Sequence, residues 1–318
     1  MHKENKKNPL LVILGPTATG KTKLSVALAK RFNAEIISAD SMQIYKGMDI
    51  GTAKVSEEEK SNIPHHLVDF LDIDEKFSVA KYTEMAKDCI SEIHAKNKLP
   101  ILVGGTGLYI DSLINNISFA PGTEDENYRE ELYNIAGEHG NQYLLDKLKE
   151  VDPLYAETLH SNNLGRIIRV LEMYKVSGKN YTENLKLSKR EEPLYETMII
   201  GLDYRDRAKL YENINKRVDK MFEAGIIEEA KAVLWENSSN TTALQAIGYK
   251  ELIPYINGEA SLEEVSENLK MQTRRYAKRQ KTWFRKNNKI NWIYLDDYDN
   301  FDEIINFTIN LVENWKAI

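Results

Sequence analysis

The sequence predicts an α/β fold in which a parallel sheet carries helices on both faces. Short apolar runs with the length of buried strands recur along the chain, at 10–14, 35–38, 101–103, 198–202 and 291–295. Amphipathic segments with helical periodicity lie between them, at 21–32, 78–96 and 205–223. Strands that alternate with helices are typical of parallel sheets, whose ligands bind at the carboxyl ends of the strands. Functional residues are therefore expected in the loops that begin at Gly15, Ala39, Gly104 and Asp203.

The first apolar run leads directly into a phosphate-binding motif. Residues 15–22 satisfy the pattern G-x-x-x-x-G-K-[ST] between a predicted strand and a predicted helix. In such a P-loop, backbone N–H groups and the positive end of the helix face an anion. We expect Lys21 to reach the outer phosphate and the Thr22 hydroxyl to bind Mg²⁺. The sheet is thus predicted to be P-loop NTPase-like and to bind a di- or triphosphate through Gly15, Pro16, Thr17, Ala18, Thr19, Gly20, Lys21 and Thr22.

Length and composition indicate a soluble protein with room for two domains. The chain has 318 residues, of which 42% are apolar and 29% charged. No apolar run approaches the length of a membrane span, and the polar N-terminus leads straight into the first strand, so neither a membrane segment nor a signal peptide is expected. The single cysteine, Cys89, excludes an internal disulfide and a cysteine-rich zinc site. We expect a cytoplasmic protein that is a monomer.

The alternation of strands and helices stops between Pro121 and Pro193. This stretch contains helical patterns without an intervening strand, at 124–139, 142–150, 153–159 and 163–176. An all-helical block between two strands of one sheet is best interpreted as an insertion domain. We therefore expect a P-loop core domain over 1–120 and 194–318 and a helical domain over 121–193.

The last long helix is predicted to begin at Ser261, because Ser261 and Glu264 have capping-box spacing. Its apolar face should be formed by Leu262, Val265, Leu269, Tyr276 and Trp283. Residues 268–295 contain nine basic side chains and no acidic one: Lys270, Arg274, Arg275, Lys278, Arg279, Lys281, Arg285, Lys286 and Lys289. These cations lack acidic partners at i,i±4 and repel one another. Despite the net charge of −6, the segment favours a polyanionic partner.

The carboxylate expected of a P-loop ATPase is missing from the obvious strand. Such an enzyme has an aspartate at the end of a second apolar strand, but the run at 100–103 leads into Gly-Gly-Thr-Gly. The strand at 35–38 instead leads to Asp40, which would lie at the ligand edge or cap a turn. Asp203 has the same two interpretations. The glycine loop with Thr106 either approaches a ligand or is a plain strand-to-helix turn.

Two further features, an arginine on a predicted helix and a pair of histidines, can be interpreted only from their neighbours in the sequence. Arg217 lies on a helix that starts at the ligand edge, where it could bind a second phosphate, although most helix arginines face solvent. His65 and His66 have no companions with metal-ligand spacing, so packing or hydrogen bonding is expected of them.

Seven segments together resemble one enzyme family. They are Gly-Pro-Thr-Ala-Thr-Gly-Lys-Thr at 15–22, Ile-Ser-Ala-Asp-Ser at 37–41, Ile-Tyr-Lys-Gly-Met-Asp-Ile-Gly-Thr-Ala-Lys at 44–54, Val-Gly-Gly-Thr-Gly-Leu-Tyr at 103–109, Gly-Arg-Ile-Ile-Arg-Val-Leu-Glu at 165–172, Ala-Ile-Gly-Tyr-Lys-Glu at 246–251 and Arg-Arg-Tyr-Ala-Lys-Arg-Gln-Lys-Thr-Trp-Phe-Arg at 274–285. This set is similar to the tRNA dimethylallyltransferases and runs through nearly the whole chain. The segments at 44–54 and 274–285 are the most specific.

The resemblance implies a reaction and a role for each site residue. These enzymes transfer a dimethylallyl group from dimethylallyl diphosphate to the exocyclic amine of the adenosine next to the anticodon. The P-loop would then hold departing pyrophosphate, with Lys21, Arg217 and Mg²⁺ near Thr22 stabilising its charge. Asp40 matches the family's general base.

The resemblance also implies a binding surface for the tRNA anticodon stem-loop, from which the target base must be flipped out. The expected contacts are Asp40, Ser41, Met42, Gln43, Thr106, Arg129, Gly165, Arg166, Ile167, Ile168, Arg169, Gln245, Ala246, Ile247, Gly248, Tyr249, Lys250, Arg274, Lys278, Lys281 and Arg285. Eukaryotic members carry a C-terminal zinc finger, whereas this chain has one cysteine and resembles the short bacterial form.

Three alternatives use the same P-loop differently. A small-molecule or nucleotide kinase would bind ATP there, but the missing carboxylate and the basic helix count against it. A nucleic-acid-binding module could use the loop as a regulatory nucleotide site, which the placement of Asp40 disfavours. A prenyltransferase that acts on free AMP would have no use for the helical insertion or the basic helix.

Overall fold

The computed structural model describes residues 7–117, 125–183, 192–235, 246–315 and 317–318. The chain forms two compact units. The first consists of Met1–Asn115 together with Pro193–Ile318, and the second of Asn116–Glu192. The second unit begins five residues before the expected start of the insertion at 121 and ends one residue before its expected end at 193.

The first unit is built on a six-stranded sheet in which all neighbouring strands are parallel. The strands are β1 Asn8–Leu14, β2 Ala34–Ala39, β3 His65–His66, β4 Leu99–Gly104, β5 Tyr195–Asp203 and β6 Asn291–Tyr294. Their order across the sheet is β3-β2-β4-β1-β5-β6. β1 thus lies between β4 and β5, and the ends of β1, β2, β4 and β5 meet at one edge. The predicted α/β class and the five predicted strands are confirmed; the two-residue edge strand β3 was not foreseen.

The helices of this unit cover both faces of the sheet. They are α1 Lys21–Phe32, α2 Glu57–Lys60, α3 Val79–Ala95, α4 Gly107–Ile114, α9 Arg207–Glu223, α10 Ile226–Trp235, α11 Ile253–Ile256, α12 Leu262–Phe284 and α13 Phe301–Glu313. The labels α5 to α8 belong to the second unit. The three predicted helices at 21–32, 78–96 and 205–223 correspond to α1, α3 and α9.

The core is split by the sheet because successive side chains of a strand point to opposite faces. Leu10 and Val12 of β1 pack with Tyr82 and Ile110, on the face that α3 and α4 cover. Leu11 and Ile13 pack on the other face with side chains of α1 and α13, among them Leu24, Leu28 and Ile304. Residues 10–14 of β1 are therefore buried, and the carboxyl end of the strand is a rigid base for the loop that follows.

The second unit contains helices α5 Glu126–His139, α6 Asn141–Val151, α7 Pro153–Ala156 and α8 Leu164–Ser177. They share a core that includes Leu132, Leu144, Leu148, Ile167 and Leu171. Asp125 caps α5, since its carboxylate accepts a hydrogen bond from the Tyr128 N–H at 3.0 Å. The helical character predicted for this block is confirmed in its described part, where the secondary-structure elements are helices. Of the expected boundary residues, Pro121 lies outside the described residues.

The predicted basic helix is α12, and its capping box is formed as expected by Ser261 and Glu264. Its apolar face is corrected at one position: Leu262 is 44% exposed, because the first turn projects beyond the core. It is also not the last long helix, since the 13-residue α13 follows β6 and packs on α1.

Candidate active site

The P-loop turns sharply between β1 and α1. A side chain at Gly15 would collide with the carbonyl oxygen of Leu202 on β5, so only glycine fits where the loop leaves the sheet. Ala18 and Gly20 both have positive φ, 64° and 76°, which turns the chain back toward the helix. The loop is closed internally, because Pro16 O accepts hydrogen bonds from Thr19 Oγ1 at 2.9 Å and Lys21 Nζ at 2.8 Å.

One cavity of about 540 Å³ opens over this loop. It brings together residues that the sequence places far apart: the P-loop, the Asp40 turn, Arg217 on α9 and the segment after residue 245. The predicted residues that line it are Thr17, Ala18, Thr19, Gly20, Lys21, Thr22, Asp40, Ser41, Met42, Gln43, Arg217, Ala246, Ile247, Gly248 and Lys250. Gln245 lies outside the described residues.

The cationic end of the cavity is poorly solvated. Burial, and after it the neighbouring Arg217 guanidinium, lower the pKa of Lys21 from 10.5 to about 7, while Asp40 partly opposes them. Burial also lowers the pKa of Arg217 from its ordinary value, against the pull of Asp40 and Glu59. Two cations held close together in a partly buried site stabilise a bound polyanion, which would in turn favour the charged form of Lys21. The geometry therefore suits a diphosphate.

Asp40 follows β2 and uses one carboxylate oxygen to build its own turn. Oδ1 accepts hydrogen bonds from the N–H groups of Met42 at 2.9 Å and Gln43 at 3.3 Å. The next N–H, that of Ser41, donates to Thr106 Oγ1 at 3.1 Å. The turn-capping interpretation and the functional interpretation of Asp40 are thus compatible, since Oδ1 caps the turn and the side chain still lines the cavity.

The glycine loop after β4 is explained by close packing of protein against protein. A side chain at Gly104 would collide with Ala39 O, one at Gly105 with the Gln280 side chain, and one at Gly107 with the Trp283 ring. Trp283 Nε1 donates to Asp111 Oδ2 at 2.6 Å, which fixes α12 against α4. These glycines allow β2 and α12 to approach the loop, so the turn interpretation explains them without a ligand.

Gln280 of α12 connects this loop to the P-loop. Its Oε1 accepts a hydrogen bond from Thr17 N–H at 3.0 Å, and its Nε2 donates to Gly105 O at 3.0 Å. The side chain is 6% exposed. Tyr276, one turn earlier, also lines the cavity. The sequence analysis placed Tyr276 on the apolar face of α12 and assigned neither residue to the site; the signal was the polar Gln280 among buried positions of the helix.

Several predicted contact residues have other places in the structure. Ile167 and Ile168 are 0% and 1% exposed in the core of the second unit, so their side chains pack inside this unit, and their contact with tRNA stays a prediction. Tyr249 is likewise 0% exposed, and its hydroxyl donates to Glu229 at 2.7 Å. Gly165 and Arg166, by contrast, are exposed at the start of α8.

Two arginines predicted to contact tRNA form a buried ion cluster in the second unit. Arg129 Nη2 lies 2.9 Å from Glu172 Oε1, and Arg169 Nη1 lies 2.7 Å from Glu172 Oε2. Glu172 is 0% exposed. Both arginines remain about one third exposed at their side chains, so part of each is still open to an external phosphate.

The basic helix is less unpaired than its sequence suggests. Lys281 forms a 2.8 Å ion pair with Asp203, the buried last residue of β5, and Lys270 pairs with Asp219 at 2.8 Å and Glu267 at 3.0 Å. Arg274 donates to Asn215 Oδ1 at 2.7 Å. The absence of acidic partners at i,i±4 holds, but that spacing does not cover Glu267, three residues before Lys270, or partners on β5 and α9. The exposed members are Arg275, Lys278, Arg279, Arg285, Lys286 and Lys289.

The carboxylates near the P-loop differ from those of an ATPase. Of the strands that flank β1, β4 ends at Gly104, and β5 ends at Asp203, whose carboxylate is paired with Lys281. The acidic residues in the described lining of the cavity are Asp40 and Glu59. Among the described residues that line the cavity, the strand neighbours of β1 thus supply no carboxylate to orient an attacking water.

The Thr22 hydroxyl is a protein ligand suited to Mg²⁺ beside the P-loop. Thr22, in the first turn of α1, lines the cavity beside Lys21. The described residues contain no group of three His, Cys, Asp or Glu side chains that could hold a metal by themselves. Mg²⁺ commonly takes few protein ligands and completes its shell with phosphate oxygens and water, so Thr22 fits an ion that enters with a diphosphate. His66 instead hydrogen-bonds Glu35 at 2.8 Å.

A P-loop motif on a parallel sheet, facing a cavity that is cationic at one end, places the chain among α/β proteins whose site suits a phosphate ligand. Comparison with known proteins makes this assignment specific. The family model described as IPP transferase matches residues 43–287, and the chain belongs to that family.

Individual relatives match over nearly the whole chain. The tRNA dimethylallyltransferase of Caldanaerobacter subterraneus subsp. tengcongensis is 49% identical over 297 residues, which cover 93% of this chain and 94% of the relative. The crystal structure of the full-length tRNA isopentenylpyrophosphate transferase from Bacillus halodurans has a TM-score of 0.72 at 45% identity and covers 96% of each chain. A solved eukaryotic dimethylallyltransferase acting on tRNA has a TM-score of 0.79 at 30% identity, covering 96% of this chain and 80% of that one.

No helix in the described part of the chain is long and apolar enough to cross a membrane.

Proposed function

We propose that the protein transfers a dimethylallyl group from dimethylallyl diphosphate to the exocyclic amine of the adenosine next to the anticodon of tRNA, releasing pyrophosphate. The observation that carries the proposal is the meeting of Lys21, Arg217 and Asp40 in one cavity. Relatives named tRNA dimethylallyltransferase support it, since they match over almost the full length of this chain.

The lining of the cavity suits the proposed donor. The P-loop, Lys21 and Arg217 lie at one end and would hold the diphosphate. Met42, Met221, Ile247 and Leu269 also line the cavity and would contact a short hydrocarbon chain, whose burial is favourable. These side chains suit an apolar prenyl chain, and the lack of an ATPase-like carboxylate beside the P-loop is the reason to prefer the prenyl donor to ATP.

In the proposed reaction the bond between the allylic carbon and the diphosphate oxygen breaks as the bond from that carbon to the adenine nitrogen forms. Charge grows on the departing pyrophosphate, where Lys21, Arg217 and the P-loop N–H groups would stabilise it. Mg²⁺ bound near Thr22 would add positive charge beside the same oxygens. The nitrogen loses a proton, and the Asp40 carboxylate would accept it.

The exposed cations of α12 support a tRNA acceptor over free AMP. Lys278 and Arg285 lie on the exposed side of this helix, whose Arg279, Tyr276 and Gln280 line the cavity. A nucleic-acid backbone on these cations would bring an extruded base toward Asp40, and phosphate contacts would offset the cost of flipping it. AMP needs no such surface.

Incubation with carbon-labelled dimethylallyl diphosphate and Mg²⁺, with either tRNA or AMP present, tests the proposal. The expected result is label in tRNA, recovered on an adenosine after digestion to nucleosides, and no label in AMP. Label in AMP alone would favour the free-nucleotide prenyltransferase, and labelling of neither acceptor, with phosphate transferred from ATP, would favour the kinase.

A further inference from the structure

The carboxylate of Glu229, on α10, receives four hydrogen bonds. Oε2 accepts from the N–H groups of Asp49 at 2.9 Å and Ile50 at 2.7 Å, and Oε1 accepts from Gly51 N–H at 2.8 Å and Tyr249 Oη at 2.7 Å. Three consecutive N–H groups that converge on one anion form a strong and geometrically demanding site. The conformation of the loop at 49–51 therefore depends on this one side chain.

The same loop is held from its other side by the segment around Tyr249. A side chain at Gly51 would approach the Tyr249 ring to 2.7 Å, and Gly248, with φ of 108°, lies close to the Gly51 backbone. The ring is fully buried. Glu229 and Tyr249 thus both contact the loop, and a shift of either side chain would move the loop.

The carbonyl groups at the end of this loop hold two residues of the cavity. Thr52 O accepts from Arg217 Nη2 at 3.3 Å and from Gln43 Nε2 at 3.2 Å, and Ala53 O accepts from Gln43 Nε2 at 3.1 Å. Arg217 faces the phosphate end of the cavity, and Gln43 lies two residues beyond Ser41 on the Asp40 turn. A chain of hydrogen bonds therefore runs from Glu229 through the loop backbone to both substrates' expected positions.

We propose that Glu229 is a positioning residue of the active site, which aims Arg217 at the diphosphate by fixing the loop at 49–53. Its importance for catalysis rests on the proposed function, whereas its effect on diphosphate binding rests on the geometry alone. Glu229 contacts neither reacting group, so it acts through Arg217 and the loop.

Pyrophosphate binding, measured by calorimetry on the full chain, tests the proposal without requiring catalysis. Glu229→Gln keeps the size of the side chain but presents an N–H₂ group to backbone donors, so the loop loses part of its anchor. We expect the dissociation constant for pyrophosphate to rise about tenfold. Glu228→Gln is the matched control, because it removes the neighbouring exposed carboxylate of the same helical turn; its dissociation constant should stay within about twofold of the parent.

A double-mutant cycle with Arg217→Gln separates positioning from a general structural effect. If Glu229 acts through Arg217, then Glu229→Gln should weaken pyrophosphate binding by less than about twofold once Arg217 is replaced. An equal loss with and without Arg217 would overturn the proposal, and so would an unchanged affinity in Glu229→Gln alone.

Tyr249→Phe guards against the case in which Glu229→Gln fails to fold. It removes one of the four donors and leaves the ring in place, so a rise of about threefold in the dissociation constant is expected. No rise would contradict the proposal. Prenyl transfer by the parent protein is assayed separately; if it is absent while the pyrophosphate results hold, the proposed function fails and the positioning role of Glu229 stands.

Discussion

Gln280 Oε1 accepts a hydrogen bond from the backbone N–H of Thr17 at 3.0 Å. This contact joins the basic helix α12 to the P-loop, two elements separated by more than 260 residues of sequence. The same side chain donates to Gly105 O. The element expected to bind tRNA is therefore part of the wall of the cavity in which we propose that the diphosphate binds.

Replacing Gln280 should weaken diphosphate binding. In Gln280→Leu the Thr17 N–H and the Gly105 carbonyl lose their partner, and the P-loop is no longer tied to α12. We expect the dissociation constant for pyrophosphate to rise about tenfold. Gln272→Leu, which changes a partly exposed glutamine of the same helix, is the control for calorimetry. Equal affinities in the two variants would contradict the inferred contact.

Asp40→Asn should abolish proton removal while keeping the turn. Asparagine retains an Oδ1 that can accept from the Met42 and Gln43 N–H groups, so tRNA affinity should change by less than about twofold. The rate of single-turnover prenyl transfer should fall by about 10² to 10⁴. An unchanged rate would exclude Asp40 as the base.

The lowered pKa of Lys21, about 7 in the folded protein against 10.5, predicts a specific pH dependence of stability. Because the folded value lies below the unfolded value, unfolding takes up a proton between these limits, and the free energy of unfolding should rise with pH across this interval. From about pH 7 to about pH 9, the free energy of unfolding of the parent should therefore rise relative to that of Lys21→Met. Urea unfolding measures it, with Lys30→Met, an exposed site on α1, as the control. A difference that is constant with pH would refute the lowered pKa.

Glu35 lies at the sheet edge opposite to the P-loop, and its ion pairs predict that the free energy of unfolding falls in acid. Burial would raise its pKa, but hydrogen bonds from Lys98, His66 and Lys96 outweigh burial and lower the pKa from 4.5 to about 2. The stabilisation is thus present above pH 4.5 and lost as the pH falls toward 2.

Glu35→Gln tests this cluster. Because Lys96 and Lys98 are partly exposed, the loss at neutral pH should be about 2 kcal/mol, below the usual cost of breaking a fully buried pair. The variant and the parent should converge in stability near the folded pKa, as measured by denaturant unfolding. Glu84→Gln, at an exposed position of α3, should show neither effect. A loss in Glu35→Gln that persists unchanged in acid would come from packing instead of charge.

The exposed cations of α12 predict a salt-dependent affinity for tRNA. Lys278→Glu and Arg285→Glu should each weaken tRNA binding. Each should also reduce the magnitude of the slope of log affinity against log salt by about one, the change expected for the loss of one phosphate contact. Lys281 should behave differently, because its ammonium is paired with Asp203; Lys281→Gln leaves a buried carboxylate alone and should mainly lower stability. Binding in the parent that is independent of salt would contradict a backbone-reading role for α12.

Local patterns were sufficient for most of the fold. Apolar runs and caps predicted the five longer strands and the start of α12, because burial of a strand and capping of a helix are properties of short segments. The two-residue strand β3 and the packing role of the glycines at 104–107 were beyond this reasoning, since a two-residue strand has no period and a glycine does not reveal what lies against it.

The site was predictable where a single segment carries its chemistry and not where distant segments meet. The P-loop and Asp40 could be predicted because the strand, loop and helix that define each position follow one another along the chain. Gln280, Tyr276 and Glu229 act through contacts with residues that lie far away in sequence, and a sequence does not display such pairs. The same limitation hid the ion pairs that Lys270 forms with Asp219 on α9 and Lys281 with Asp203 on β5.

The central claim is that the P-loop holds a departing pyrophosphate while carbon is transferred. A donor that carries one label in the dimethylallyl group and a second, phosphorus label in the diphosphate tests it directly, with tRNA as acceptor. The account predicts that the carbon label enters tRNA and that the phosphorus label is released as pyrophosphate in equal molar amount. Phosphorus label in the acceptor, or carbon transfer that is unaffected by Lys21→Met and Arg217→Gln, would contradict it.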